Sequence, residues 1–200
     1  MEKNDFDVQI DAFGKKALMK YNGSDKVVTV PDGIVRIDTQ AFADLDFIDT
    51  VILPDSVTFI GYAAFQGSSI SHITVGKNVT LLGAFVFGSC KNLKTVVIQN
   101  PTISFGRAPF QNGSDDFEIV FEGSCDQFKK IASRAYYSSG EYQSGDYHHP
   151  SSTHFEYYKY TVYAHIFSNT LSTPFTCKVK CADGEIVYHE MKEETWVERE

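Results

Sequence analysis

The apolar positions between residues 28 and 121 return every 22 or 23 residues. The clearest copy runs Ile48-x-x-Val51-x-Leu53-Pro54-x-x-Val57-x-x-Ile60-Gly61-x-x-Ala64-Phe65. One column holds Val28, Val51, Ile73, Val96 and Ile119, and a second holds Val30, Leu53, Val75, Ile98 and Phe121. A third is Ile37, Ile60, Leu82 and Phe105; a fourth is Phe42, Phe65, Phe87 and Phe110. Four columns in step mark a stacked solenoid, in which each turn buries its apolar side against its neighbours.

Within one turn, Asp49-Thr50-Val51-Ile52-Leu53-Pro54 alternates like a strand. Val51 and Leu53 are expected inside; Thr50 and Ile52 are expected on the outer face. Stacking sets such strands parallel, roughly 4.8 Å apart. Pro31 and Pro54 follow their strands, and proline has no amide to continue a ladder. Gly61, Gly83 and Gly106 share a column where a tight bend is expected. Small residues and a phenylalanine follow each of them, predicting a close return segment, a short helical turn at most, and a spine of stacked rings. At both ends the column of Ile48, Ile70 and Leu93 becomes polar, with Asp25 before it and Asp116 after it. Terminal turns with a solvated outer side look like this.

Outside the repeats, Phe6, Val8 and Ile10 alternate with polar residues, and Gly14 separates them from a second extended stretch, Lys16 to Tyr21. This pattern predicts an N-terminal hairpin over the first turn. After the last strand, Asp126-Gln127-Phe128-Lys129-Lys130-Ile131 predicts a short helix with Asp126 as its N-cap. Residues 138–153 have loop composition, and 157–164 alternate as a strand. Asp183-Gly184 predicts a two-residue hairpin turn. Pairing outward from it sets Cys181 against Ile186, Val179 against Tyr188 and Cys177 against Glu190. That places Cys177, Val179, Cys181, Ile186 and Tyr188 on one face. The organisation expected is a capping hairpin at 1–24, a solenoid at 25–133 and a β-rich C-terminal cap at 134–200.

The repeat resembles the BspA-like leucine-rich repeat family, the short class with a proline after the strand and Ala-Phe later. Val51, Leu53, Pro54, Val57, Ile60, Gly61, Ala64 and Phe65 carry the likeness, with their counterparts across residues 25–133. The fold expected is therefore a β-rich solenoid: a leucine-rich repeat array of about five turns with a parallel sheet, capped at both ends. Departures are Gly76, Gln99 and Glu122 for the proline, Asp38 for the glycine, and Val86 and Pro109 for the alanine. They lead to an expectation of less regular third and fourth turns. The resemblance implies binding to proteins, since many relatives are bacterial surface or secreted proteins that adhere to host or neighbouring-cell proteins.

Composition narrows the function classes. A formal charge of −8 lacks the basic patch that nucleic-acid backbones require. No apolar run approaches the roughly 20 residues of a membrane helix, so no membrane insertion is expected. The charged start, Met1-Glu2-Lys3-Asn4-Asp5, leads into no apolar segment; as written the chain reads as cytoplasmic, its localisation otherwise unknown. Four cysteines are too few and too scattered for a disulfide scaffold. Cys90 aligns with Leu45 and Ser68 as a small core residue. Cys177 and Cys181, if on one strand, lie roughly 13 Å apart and cannot bridge. His148, His149 and His154 match no zinc spacing, and Asp44, Asp46 and Asp49 read as a solvated loop, so no metal and no cofactor are expected.

No nucleophile elbow, phosphate-cradling glycine loop or His-Glu-x-x-His motif is present, so no catalytic residue is assigned. The tyrosines between Tyr136 and Phe167 pack the cap or form a recognition patch. The candidate binding surface is the outer sheet face: Thr50, Ile52, His72, Thr74, Thr95 and Val97, within the columns Val27 to Glu118 and Thr29 to Val120. Small β-branched residues with little charge suit a protein segment. The function expected is a non-enzymatic protein-interaction module, adhesin-like in its surface form. The alternative is an intracellular scaffold or regulatory protein, and a more remote one is a solenoid-based hydrolase.

Overall fold

The computed structural model describes residues 5–134 and 176–189. The loop expected at 138–153, the strand at 157–164, the tyrosine-rich stretch and the three histidines lie outside the described residues.

The N-terminal hairpin is β1 (Phe6–Ile10) and β2 (Lys16–Tyr21). The solenoid follows as β3 (Val27–Thr29), β4 (Ile34–Ile37), β5 (Thr50–Ile52), β6 (Phe59–Ile60), β7 (His72–Val75) and β8 (Leu81–Leu82). It continues through β9 (Thr95–Ile98), β10 (Ser104–Phe105) and β11 (Asp116–Phe121). Helix α1 (Cys125–Arg134) and the hairpin β12 (Thr176–Cys181) and β13 (Gly184–His189) complete it. One sheet has seven strands in the order β13-β12-β11-β9-β7-β5-β3. It is parallel from β3 to β12 and antiparallel only at β12–β13.

A second, six-stranded sheet was not expected. Its order is β1-β2-β4-β6-β8-β10. The third apolar column supplies its inward side chains, since Ile37, Ile60, Leu82 and Phe105 are all buried. The N-terminal hairpin joins this sheet, with β2 parallel to β4 and Leu18 opposite Ile37. A bulge between Asp7 and Val8 interrupts its own pairing.

The third side of each turn is neither strand nor helix. Gln40, Ala63, Phe85 and Ala108 form a column of left-handed backbone, with φ between 46° and 57°. A second left-handed column is Asp44, Gly67, Ser89 and Asn112. Each turn therefore folds as two successive tight turns, such as Gln66 N–H to Ala63 C=O and Ser68 N–H to Phe65 C=O, both 3.0 Å. Alternate amides donate to the next turn, as in Phe42 to Ala64, Phe65 to Val86 and Phe87 to Pro109. The helical turn expected here is replaced by this ladder, which leaves the buried backbone hydrogen-bonded.

Inside that side runs a column of rings. Tyr21, Phe42, Phe65, Phe87 and Phe110 stack with centroid spacings of 5.7, 5.1, 5.6 and 5.5 Å. Phe6 and Phe117 extend it at either end. Aromatic pairs at this spacing add about 0.5–1.5 kcal/mol each beyond their burial. Cys90 is buried as expected, its thiol donating to the Phe65 carbonyl at 3.0 Å.

Two local expectations change. The column of Gly61, Gly83 and Gly106 serves close approach: a Cβ on Gly83 would lie 2.6 Å from the Gly61 backbone, and one on Gly106 would lie 2.4 Å from that of Ala84. Turns without the proline are not less regular in the sheet. Gln99 and Glu122 stand in the proline column and donate their amides to Val75 and Ile98, 3.0 Å each. Strand β9 runs one residue further than β5 for that reason, four residues against three; the six of β11 also include Asp116 and Phe117, added at its start where it pairs with β12.

Phe65→Ala should cost about 3–5 kcal/mol in urea unfolding, and Phe65→Leu clearly less. Gly83→Ala should lower the melting temperature markedly, whereas Gly76→Ala, with nothing within 4 Å of its new Cβ, should not. Equal melting temperatures for the two would contradict the close-approach role.

Candidate functional site

Strand pairing sets the outward residues in two rows across the seven-stranded sheet. Val27, Thr50, His72, Thr95 and Glu118 lie side by side, continued by Lys178 and Val187. Thr29 pairs with Ile52; Thr74, Val97 and Val120 follow, then Lys180 and Glu185. The six candidate residues thus share one face. Ile52, His72 and Thr74 are exposed, while Thr50, Thr95 and Val97 are half-buried among their neighbours. The strip is two side chains high and roughly 29 Å long at ~4.8 Å per strand.

Its polarity changes along its length. Val27 and Ile52, 56% and 49% exposed, make the β3–β5 end apolar. The β11–β13 end carries the charges. Lys180 Nζ lies 2.7 Å from Glu118 Oε2, and this pair raises the lysine pKa. Glu118 is therefore matched by a cation.

At one margin of the strip Asp49, Ser71 and His72 meet. Ser71 Oγ donates to Asp49 Oδ1 at 2.5 Å and lies 2.7 Å from His72 Nδ1. Thr50 Oγ1 donates to Asp49 Oδ2 at 3.0 Å. The types resemble a hydrolytic triad, but the order differs. A triad needs the imidazole between carboxylate and hydroxyl; here the serine occupies the middle, so the carboxylate holds the hydroxyl and the hydroxyl orients the imidazole. The hydrogen bonds from Ser71 and Thr50 hold the Asp49 carboxyl below its ordinary 3.8. Asp44 and Asp46 do other work: Asp44 takes a left-handed turn position, and the Asp46 carbonyl accepts from Ser69 Oγ at 2.8 Å.

The C-terminal closure departs most from expectation. Helix α1 begins two residues earlier than the expected cap at Asp126 implies, and its N-cap is Ser124. Ser124 Oγ accepts from Gln127 N–H at 3.2 Å, and Gln127 Oε1 accepts from Ser124 N–H at 2.7 Å. This is a reciprocal capping box, readable in Ser124-x-x-Gln127; Asp126 sits in the first turn instead. The final hairpin is shifted by two residues, with Cys181 opposite Gly184, Val179 opposite Ile186 and Cys177 opposite Tyr188. A two-residue shift keeps every side chain on its face, so Cys177 and Val179 remain buried. Cys181 is only half-buried. Its sulfur, that of Cys125 and a carboxylate oxygen of Asp183 lie within 4.8 Å of one another. Strand spacing sets Cys181 on one face with Cys177 and gives no sign of Cys125, because contact between residues 56 apart has no local signature.

Two hydrogen-bonded parallel sheets, a third turn ladder and an interior ring column define a leucine-rich repeat solenoid. The chain belongs to the BspA type leucine-rich repeat family, whose repeat region matches residues 12–144 in six copies. The match starts within the N-terminal hairpin, where Leu18 and Tyr21 continue the apolar and aromatic columns. Similar solved structures include a leucine-rich cell surface protein from Faecalibacterium prausnitzii, 23% identical over 64% of this chain and 41% of that one, TM-score 0.46. A leucine-rich repeat protein of T. pallidum is 22% identical over 60% of this chain and 70% of that one, TM-score 0.45. One from Bacteroides ovatus is 24% identical over 51% of this chain and 27% of that one, TM-score 0.46. The chain thus spans under half the length of the Faecalibacterium protein. A comparison with curated proteins gives no match.

Ser71→Ala should raise the Asp49 pKa toward 3.8, measured by carboxyl NMR titration. A depressed folded-state pKa stabilises the fold above pH 3.8, and that contribution is lost as pH falls through the folded value. The variant should lose part of it. An unchanged Asp49 titration would show that Ser71 is not the cause.

Proposed function

We propose that the chain is a non-enzymatic protein-interaction module and that the outer face of the seven-stranded sheet is its contact surface. The observation that carries this reading is the continuous strip from Val27 and Ile52 through His72, Thr74, Thr95 and Val97, which holds no carboxylate or ammonium before Glu118. Hydrogen-bonded strands fix its backbone before any partner arrives, so little ordering cost falls on this side of the contact. The uncharged part of the strip, from β3 to β9, is roughly 14 Å long at ~4.8 Å per strand and accepts about four residues of extended chain at ~3.3–3.6 Å each. The partner surface is therefore a short, mostly uncharged protein segment, and the contact belongs to the small class, below about 1,200 Å². Membership of the BspA type repeat family supports a binding role. In the finer form of this reading the partner is a host or neighbouring-cell protein, and the chain acts as an adhesin at the bacterial surface.

Among the described residues no helix is long and apolar enough to cross a membrane. Location is tested on intact cells. Loss of the native protein to external protease is expected; full protection would remove the adhesin form and send the partner search to the cytosol. The contact surface is tested by Thr50→Lys, Thr74→Lys and Thr95→Lys together, against a control on the other sheet's margin, Thr58→Lys with Thr80→Lys. Proteins captured by the immobilised wild-type chain should be lost from the triple variant and kept by the control. Equal capture by a folded triple variant would exclude the strip.

A further inference from the structure

Three ligating side chains meet where the solenoid closes. Cys125 is the first residue of α1, Cys181 is the last of β12, and Asp183 lies in the two-residue turn that follows it. The two sulfurs and the carboxylate oxygen lie within 4.8 Å of one another. We propose that Cys125, Cys181 and Asp183 form a binding site for a soft divalent cation of the zinc class, with water in the fourth position.

The backbone carrying these donors is held independently of any ion. Strand β12 is parallel to β11 over five residue pairs, from Asp116 and Thr176 to Val120 and Lys180. Ala182 N–H donates to the Gly123 carbonyl at 2.9 Å, tying the turn to the residues before the helix. The Asp183 carboxylate accepts from Cys125 N–H at 2.7 Å through Oδ1. That bond orients the carboxylate, as the outer partners of metal ligands do.

The distances suit a tetrahedral ion. Zinc–sulfur bonds of about 2.3 Å put two thiolates roughly 3.8 Å apart, so the donors need close by no more than about 1 Å. Two sulfurs and one carboxylate select zinc, cadmium or cobalt over calcium and magnesium, which take oxygen cages. Burial, with Cys125 beside it, pushes the Cys181 thiol up to about 12. Binding then exchanges one divalent cation for two thiol protons, which pass to solvent, and the affinity rises with pH. Lys129 is the nearby cation, and its ammonium leans on Asp126 at 3.7 Å. The other two cysteines are buried elsewhere, Cys90 under Phe65 and Cys177 beneath the seven-stranded sheet. An ion here would clamp α1 to the final hairpin and stabilise the folded chain by mass action.

The test is a cobalt(II) titration of the reduced full-length chain. One equivalent should bind, with thiolate-to-cobalt charge-transfer absorption and the visible bands of a tetrahedral ion. Cys125→Ser and Cys181→Ser should each abolish the charge-transfer band, and Cys177→Ala should keep it. Asp183→Asn should keep the band with affinity lowered about 10–100-fold. Circular dichroism establishes that each variant is folded. A reduced wild-type chain without the band overturns the proposal, as does a band unchanged in either serine variant.

Discussion

Every turn of this solenoid has to bring an aromatic ring back to the same place. The rings from Tyr21 to Phe110 follow one another at 5.1–5.7 Å, close to the spacing of hydrogen-bonded strands. Ring stacking and backbone pairing therefore impose nearly the same rise, and neither has to stretch to satisfy the other. An insertion within a turn has to be absorbed away from this column. The observed alternation of 22 and 23 residues lets extra length fall in the connections while the rings stay in line. The outer face inherits its order from this constraint, because aligned turns are what set Thr50, His72 and Thr95 side by side.

The columns were legible because each apolar position recurs, and recurrence separates a core position from a chance hydrophobe. What a column does was less legible. Gly83 reads as a bend, but the space it vacates is filled by the backbone of Gly61 in the preceding turn, a neighbour that one turn read alone does not name. Losing the proline reads as irregularity, yet an amide in its place simply continues the ladder, as Gln99 and Glu122 do. The second sheet escaped notice because its solenoid strands are as short as two residues, too brief for alternation to register.

The outer face was readable from alternation, and its pairing follows the expected rows. The Ser71 bridge between Asp49 and His72 was not, because it joins adjacent turns through a side chain the pattern treats as filler. The thiol pair at the closure was hidden for a related reason. Strand periodicity links Cys181 to Cys177, whereas space links it to Cys125, and only the docking of a hairpin onto a helix start reveals the second relation.

The two ends of the seven-stranded sheet are chemically unlike. At one end β12 runs with the stack and β13 runs against it, and Lys178, Lys180 and Glu185, spread over both rows, put charge across the turn-back. At the other, β3 borders no further strand among the described residues, and Val27 stands exposed beside it. A reversed strand cannot template another parallel turn, whereas a same-sense border can. Each sheet thus has one end closed by a reversed strand, and the two closed ends lie at opposite ends of the array: β13 at the C-terminal end of one sheet, β1 at the N-terminal end of the other. Lengthening by whole repeats is barred on the N-terminal side by one sheet and on the C-terminal side by the other.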